Sequence, residues 1–315
     1  GLAYAKAQNL EQVGYLLSDA LFYSEQYIVP ATDAAVYQAS ASWMNSAKKK
    51  KKWELDLGLH ANVFFVPNRD RSFNISNNSF QFFEIEGATE ATVPSALGSD
   101  AQVFLVGDLD GEQIRFKTPK GINQEIVVYP YLQASLGLPY GFELVGRYST
   151  RTKLKKGDYQ VYGFGLKHNF SQYFPKLEAK KINLAFQTMY SNEEIRFDFL
   201  DINISDQNLG LNQFAGQVNT YHFQVAVSKE IKSFELMGTF IANVSNFNYS
   251  VSGENETSVY AQAINQLIPQ LEETKWNSIG EVSVNYFFHD FFIKSSFSFG
   301  KFANINLGLN YTFNN

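Results

Sequence analysis

From residue 53 onward, apolar and polar side chains alternate with a period of two. Trp53, Leu55, Leu57, Leu59, Ala61, Val63 and Phe65 stand opposite Glu54, Asp56, Gly58, His60 and Asn62. Near the other end Ala303, Ile305, Leu307, Leu309, Tyr311 and Phe313 stand opposite Asn304, Asn306, Gly308, Asn310 and Thr312. A period of two puts one set on each face of a strand. A strand greasy on one face and polar on the other fits lipid outside and a polar interior inside. The same pattern predicts strands over 124–136, 142–149, 162–170, 181–197, 215–228, 232–248, 275–288 and 291–300. Weaker alternation marks 72–86 and 101–117. The fold class predicted is all-β: a transmembrane antiparallel barrel of about twelve strands, with ten to fourteen compatible.

The connections have their own pattern. Segments 137–141, 229–231 and 289–290 are short, whereas 198–214 and 249–274 are long. Short periplasmic turns with long outer loops are the usual asymmetry of such barrels. Val259, Ala261, Ile264, Leu267, Ile268 and Leu271 predict a helix in the second long loop.

Residues 9–50 read differently. Leu10, Val13, Leu16, Leu17, Ala20 and Leu21 recur at helical spacing, and Pro30 interrupts them. One or two short helices are predicted, forming a short N-terminal helical hatch in the lumen or beneath it. Ala5-Lys6-Ala7 has the small-residue character of a signal-peptide cleavage site, so residues 1–8 read as a signal-peptide remnant or a disordered terminus. The barrel domain then covers 51–315. Lys48 to Lys52 form a run of five lysines before the first strand: a solvated cluster, or a contact for anionic lipid head groups.

Composition narrows the class. Phe (29) and Tyr (18) are abundant, as the aromatic girdles of a membrane barrel require. Mean hydropathy is only −0.22, because alternation cancels in an average. With no cysteine there is no disulfide or thiolate metal site, and the net charge of −5 argues against a nucleic-acid partner.

Parity assigns Asp56, His60, Glu143, Arg147, Lys167, His222, Glu235, Glu281 and Lys294 to the lumen. Mixed signs on facing walls form ion pairs in place of an apolar core, or else line a selective path for a polar solute. His60, His168, His222 and His289 show no metal-ligand spacing, so no metal or other cofactor is expected. His168 falls on the lipid face and His289 in a turn. Ser283, Ser298 and His222 share the lumen, but no nucleophile elbow accompanies them, and no enzymatic activity is expected. Gly163 and Gly165, on an inner face, leave room for a plug or for strand bending.

Asn306-x-Gly308-x-x-Tyr311-x-Phe313 resembles the C-terminal signal that outer-membrane barrels present to their assembly machinery. The arrangement as a whole resembles the FadL-like outer-membrane proteins, which include hydrophobic-compound channels and the PorV-type barrels of type IX secretion. The shared features are the N-terminal hatch, the strand that follows it, and the terminal signal. Asn45-Ser46-Ala47-Lys48 is similar to that family's Asn-Pro-Ala segment with Ser for Pro, and Asp33 is similar to its upstream acidic residue. Gly163 to His168 reads like PorV-type strands. The chain resembles still more an uncharacterised group of Gram-negative barrels with this layout. The resemblance implies a Gram-negative outer-membrane protein. It implies either passive uptake of a small solute, hydrophobic compounds among the candidates, or a non-conducting subunit of a larger outer-membrane complex. The expected partners are membrane lipid, the assembly machinery and other outer-membrane proteins.

Overall fold

A computed structural model describes residues 2–109, 111–198, 203–204, 207–208, 212–252 and 259–314. Ten antiparallel strands close into a barrel: β1 (Leu55–Phe65), β2 (Ile126–Gly137), β3 (Phe142–Tyr148), β4 (Gly157–Asn169), β5 (Ile182–Asp198), β6 (Gln213–Ile231), β7 (Phe234–Ser252), β8 (Thr274–Phe288), β9 (Phe291–Phe299) and β10 (Ala303–Phe313). Each pairs with its sequence neighbours, and β1 pairs with β10 from Leu55↔Phe313 to Phe65↔Ala303. A further short strand, Thr152–Leu154, pairs with the start of β4 but stands outside the ring.

The count is ten and not twelve. The weak candidates at 72–86 and 101–117 form two small sheets apart from the barrel. Ser72–Ser76 pairs with Glu90–Pro94, and Phe104–Leu109 pairs with Glu84–Ile85 and Glu112–Lys117. None of these strands pairs with a barrel strand, and none exceeds six residues, against about 9–11 for a strand that crosses a bilayer. Ile75, Val93, Ile85, Leu105 and Ile114 instead bury their side chains in the cluster that surrounds the N-terminal helix.

That helix is the second correction. One helix, α1, runs from Leu2 to Ser40 with Pro30 inside it. Packing overrides the breaker: Tyr27, Ile28, Ala31, Ala34, Ala35 and Val36 are all buried. Carbonyls beside the break gain extra donors, one from outside the helix and one from within it. Ala96 N–H donates to the Tyr27 carbonyl (2.9 Å), and Thr32 Oγ1 donates to that of Val29 (3.1 Å). Shorter helices are α2 (Pro175–Ala179) and α3 (Val259–Leu267). Most of the loop 198–214, and residues 253–258 of the next, lie outside the described residues.

The outward faces form an apolar belt. Leu57, Leu59, Val128, Leu132, Leu144, Phe164, Tyr221, Val225, Phe240, Val282, Leu307 and Leu309 are exposed. A contiguous surface of this kind is tolerable in lipid and not in water. Exposed aromatics flank it, with Tyr140, Tyr173, Phe174, Phe234 and Phe313 at the turn end and Tyr148, Trp276 and Phe299 at the loop end. The chain is a transmembrane β-barrel. Among the described residues no helix is long and apolar enough to cross a membrane.

Candidate functional site

The lumen is occupied by the chain itself, and its wall changes character where the occupant does. Around α1, in the loop-end half, the wall is largely apolar and aromatic: Phe64, Tyr129, Tyr159, Val161, Phe197, Phe214, Ile241 and Phe247. A helix satisfies most of its own backbone hydrogen bonds, so apolar neighbours suit it. After Ser40 the helix ends and residues 41–47 continue without regular structure, nearly all of them buried. Their backbone groups need partners, and there the wall is polar.

Every carbonyl from residue 37 to residue 48 accepts a hydrogen bond from a wall side chain. Asn304 serves Tyr37 (3.4 Å), Tyr129 serves Gln38 (2.9 Å) and Gln224 serves Ser40 (3.3 Å). Arg147 Nη1 donates to Ala39 (3.3 Å) and Ala41 (3.0 Å). Lys294 Nζ donates to Ser42 (3.5 Å) and Met44 (2.7 Å), and Gln133 Nε2 to Trp43 (2.8 Å). Asn285 serves Asn45 (2.7 Å), Asn169 serves Ala47 (2.8 Å), and Lys167 Nζ serves Ser46 (2.7 Å) and Lys48 (3.2 Å). The acids take the donors. Glu281 accepts from Ser42 N–H (2.7 Å), and Glu235 accepts from Ala47 N–H (3.1 Å) and the Ser46 hydroxyl (2.6 Å).

All nine ionisable residues assigned to the lumen by parity are buried. Arg147, Lys167, Glu235, Glu281 and Lys294 meet the unwound segment directly, as just described. Lys167 also pairs with Glu143, and Lys294 Nζ lies 3.7 Å from Glu281. Asp56 pairs with Lys50 and accepts from Thr312 Oγ1 (2.8 Å). His60 sits between Asn306 (3.3 Å) and Asn310 (3.0 Å), with its ring stacked on Tyr131. His222 makes no hydrogen bond to the unwound segment and lies against Ser191, beneath the Trp43 ring.

In the terminal motif the inward residues serve the plug and the outward ones the interface. Asn306 accepts from Ser42 Oγ (3.1 Å) and donates to Tyr131 Oη (2.8 Å). Tyr311 packs edge-on against Phe291 and Phe313. Gly308 makes room for His60: a Cβ there would lie 2.2 Å from His60 Nδ1. Gly308→Ala should therefore destabilise the barrel by roughly 1–3 kcal/mol through overpacking. Gly238→Ala, on the lipid face where a Cβ meets no atom within 4 Å, should not. Midpoints of heat-induced gel-mobility shifts compare them, and equal midpoints would remove the packing role.

The lysine run is divided. Lys48 pairs with Glu230 (3.0 Å) and lies over the Phe287 ring, while Lys50 is held by Asp56. Lys49, Lys51 and Lys52 are exposed. A polar hollow of about 220 Å³ remains at the turn-end mouth, lined by residues that include Lys49, Glu54, His289 and Asp290. His168 is ringed by Phe142, Phe170 and Tyr173. Gly163 faces the plug, where a Cβ would lie 2.9 Å from the Trp43 ring.

One cluster has the residue types of a hydrolase. Ser191 Oγ lies 2.6 Å from His222 Nε2 and also contacts Glu193. Its wiring is wrong for nucleophilic catalysis. The carboxylate faces Ser191 and Thr220 (2.9 Å), whereas a triad needs it on the far imidazole nitrogen. His222 Nδ1 has no partner among the described residues, and the group is sealed beneath Trp43. Ser298 instead donates to Glu281 (2.6 Å). No group of three or more metal-ligating side chains occurs among the described residues.

The family model for a family of unknown function, DUF6588, matches residues 1–313. The chain belongs to that family. No curated protein matches. Solved structures similar to the chain include several outer-membrane proteins. The translocator domain of the autotransporter NalP from Neisseria meningitidis is 9% identical with a TM-score of 0.37, over 90% of this chain and 96% of that one. An outer membrane channel from Pseudomonas putida F1 is 10% identical with a TM-score of 0.35, over 86% and 99%. Ail of Yersinia pestis is 10% identical with a TM-score of 0.27, over 84% and 100%. Likeness this distant carries no argument about function.

Proposed function

We propose that this chain is an outer-membrane barrel that stays shut at rest and serves as a non-conducting subunit of a larger outer-membrane assembly. One observation carries the shut, non-conducting state: the capture of each carbonyl from 37 to 48 by the wall. A conduit needs wall groups free to replace a solute's hydration, and here those groups are engaged with the chain's own backbone. In planar bilayers the intact protein is expected to show no channel steps, whereas deletion of residues 9–47 should produce them. Steady conductance from the intact protein would overturn the shut reading. Purification in mild detergent with mass spectrometry tests the subunit reading: stoichiometric partners are expected, and a clean monomer would count against it.

A second reading, uptake of a hydrophobic solute in the FadL manner, has its own supporting feature. Residues 126–131 pair with β1 along one edge, but on the other edge the β2–β3 ladder stops at Leu132↔Tyr148. Pro130, which cannot donate a ladder hydrogen bond, lies in that unpaired stretch. Behind it sit Tyr129 and Tyr159, with ring centroids 5.2 Å apart. A parted wall is a side exit toward lipid for an apolar solute. Uptake of a radiolabelled aromatic hydrocarbon by cells with and without the protein decides this, and equal rates would end the channel reading.

A further inference from the structure

The direction in which the plug runs is fixed at three heights. Asp33 pairs with Lys275 at the start of β8 (2.9 Å) and with Lys301 between β9 and β10 (2.5 Å), both at the loop end. Ala39 and Ala41 meet Arg147 part-way down. Lys48 and Lys50 meet Glu230 and Asp56 at the turn end. With rising residue number, therefore, the chain descends from the loop face to the turn face. The described residues before Asp33 lie at or beyond the loop-end rim.

The insert between β1 and β2 collars that part. Asp19 accepts the backbone N–H groups of Gln81 (2.9 Å), Phe82 (2.7 Å) and Phe83 (3.0 Å). Tyr27 Oη donates to the Lys120 carbonyl (2.8 Å), and the Tyr23 ring packs on Phe73. On the side of the helix turned away from the collar Glu11, Gly14 and Ser18 are exposed. The loop face carries the long connections, and long connections mark the exterior side of an outer-membrane barrel.

We propose that the barrel carries its own N-terminal segment across the outer membrane through its lumen and displays it on the exterior face. A plug entering from the periplasm would shut the pore equally well. The threaded course is thus a separate claim from the shut barrel, and either can fail alone. The placement also gives α1 two roles. Residues 34–40 fill the wall's apolar half, and the turns before Asp19 present a helical surface outside it.

The chain has no cysteine, so single cysteines report on topology cleanly. Gly14→Cys places the thiol where a Cβ meets no atom within 4 Å. Glu90→Cys marks the loop face and Glu178→Cys the turn face, both at exposed positions. Intact cells, then lysed cells, are treated with a membrane-impermeant polyethylene-glycol maleimide. Folding of each variant is checked by heat-modifiable gel mobility, and Ser18→Cys replaces Gly14→Cys if the latter does not fold. The expected result is modification of Gly14→Cys and Glu90→Cys on intact cells, and of Glu178→Cys only after lysis. Modification of the helix position only after lysis, whichever way the two markers respond, overturns the proposal.

Discussion

Arg147→Ala is expected to lower the stability of the barrel by roughly 3–6 kcal/mol, read as a fall in the midpoint of heat-induced gel-mobility shift. The guanidinium donates to the carbonyls of Ala39 and Ala41, and through Nε and Nη2 to Gln133 Oε1 (3.0 and 2.9 Å). It also stacks over Trp43 and Tyr131. Truncation orphans two buried acceptors, the Ala41 carbonyl and Gln133 Oε1, at about 1–3 kcal/mol each, while the Ala39 carbonyl keeps Trp43 Nε1 as a donor (2.5 Å). It also loosens Gln133, which holds Trp43 and Asn45 in turn. Lysine should not restore stability, since a single ammonium cannot reproduce the planar fork. Arg151→Ala is the comparison. Its pairs with Asp158 and Glu194 lie on the partly exposed outer side, where about 0–1 kcal/mol is usual. Midpoints within a degree or two of each other would show that the wall does not hold the plug in this way.

The second large effect concerns assembly in the cell. Tyr311→Ala with Phe313→Ala is expected to lower membrane levels of the protein sharply, and Leu55→Ala with Leu57→Ala much less. The structure makes this a close comparison, because Leu55 pairs with Phe313 and Leu57 with Tyr311 across the same seam. Either double variant removes outward apolar contacts from one patch, at a cost on the order of a few kcal/mol. A difference in membrane abundance, measured by immunoblot of membrane fractions, then reports recognition of the last strand. Equal losses would show that only the seam's packing matters.

The alternation made the ten barrel strands legible, because a two-residue period sustained along a whole strand is the mark of a sheet with two unlike faces. It also assigned the ionisable lumen residues to the inward parity. It did not separate a strand that crosses lipid from one that packs on a helix. Residues 72–86 and 101–117 alternate over windows as long as barrel strands, and only in the fold do they break into strands of two to six residues. Pro30 misled for a related reason: its cost is local, and the packing around Tyr27 and Ile28 that offsets it comes from residues far along the chain. Gln133, Asn169, Gln224, Asn285 and Asn304 carry no sequence signal of their role. As neutral amides they look like generic polar positions until the object they bind is known. That object, residues 41–48, has no periodicity at all. Its nearest trace in the sequence is the Asn45-Ser46-Ala47-Lys48 segment.

The seam between β1 and β10 joins strands about 250 residues apart, from Phe65↔Ala303 to Leu55↔Phe313. Pairing at such separation carries the largest loop-closure entropy in the barrel. The polypeptide also passes through the ring that this seam completes. In topological terms the molecule is a hoop cast around a rod that is continuous with it. Taking the rod away therefore leaves the hoop lined with side chains that water must satisfy in place of the rod's carbonyls.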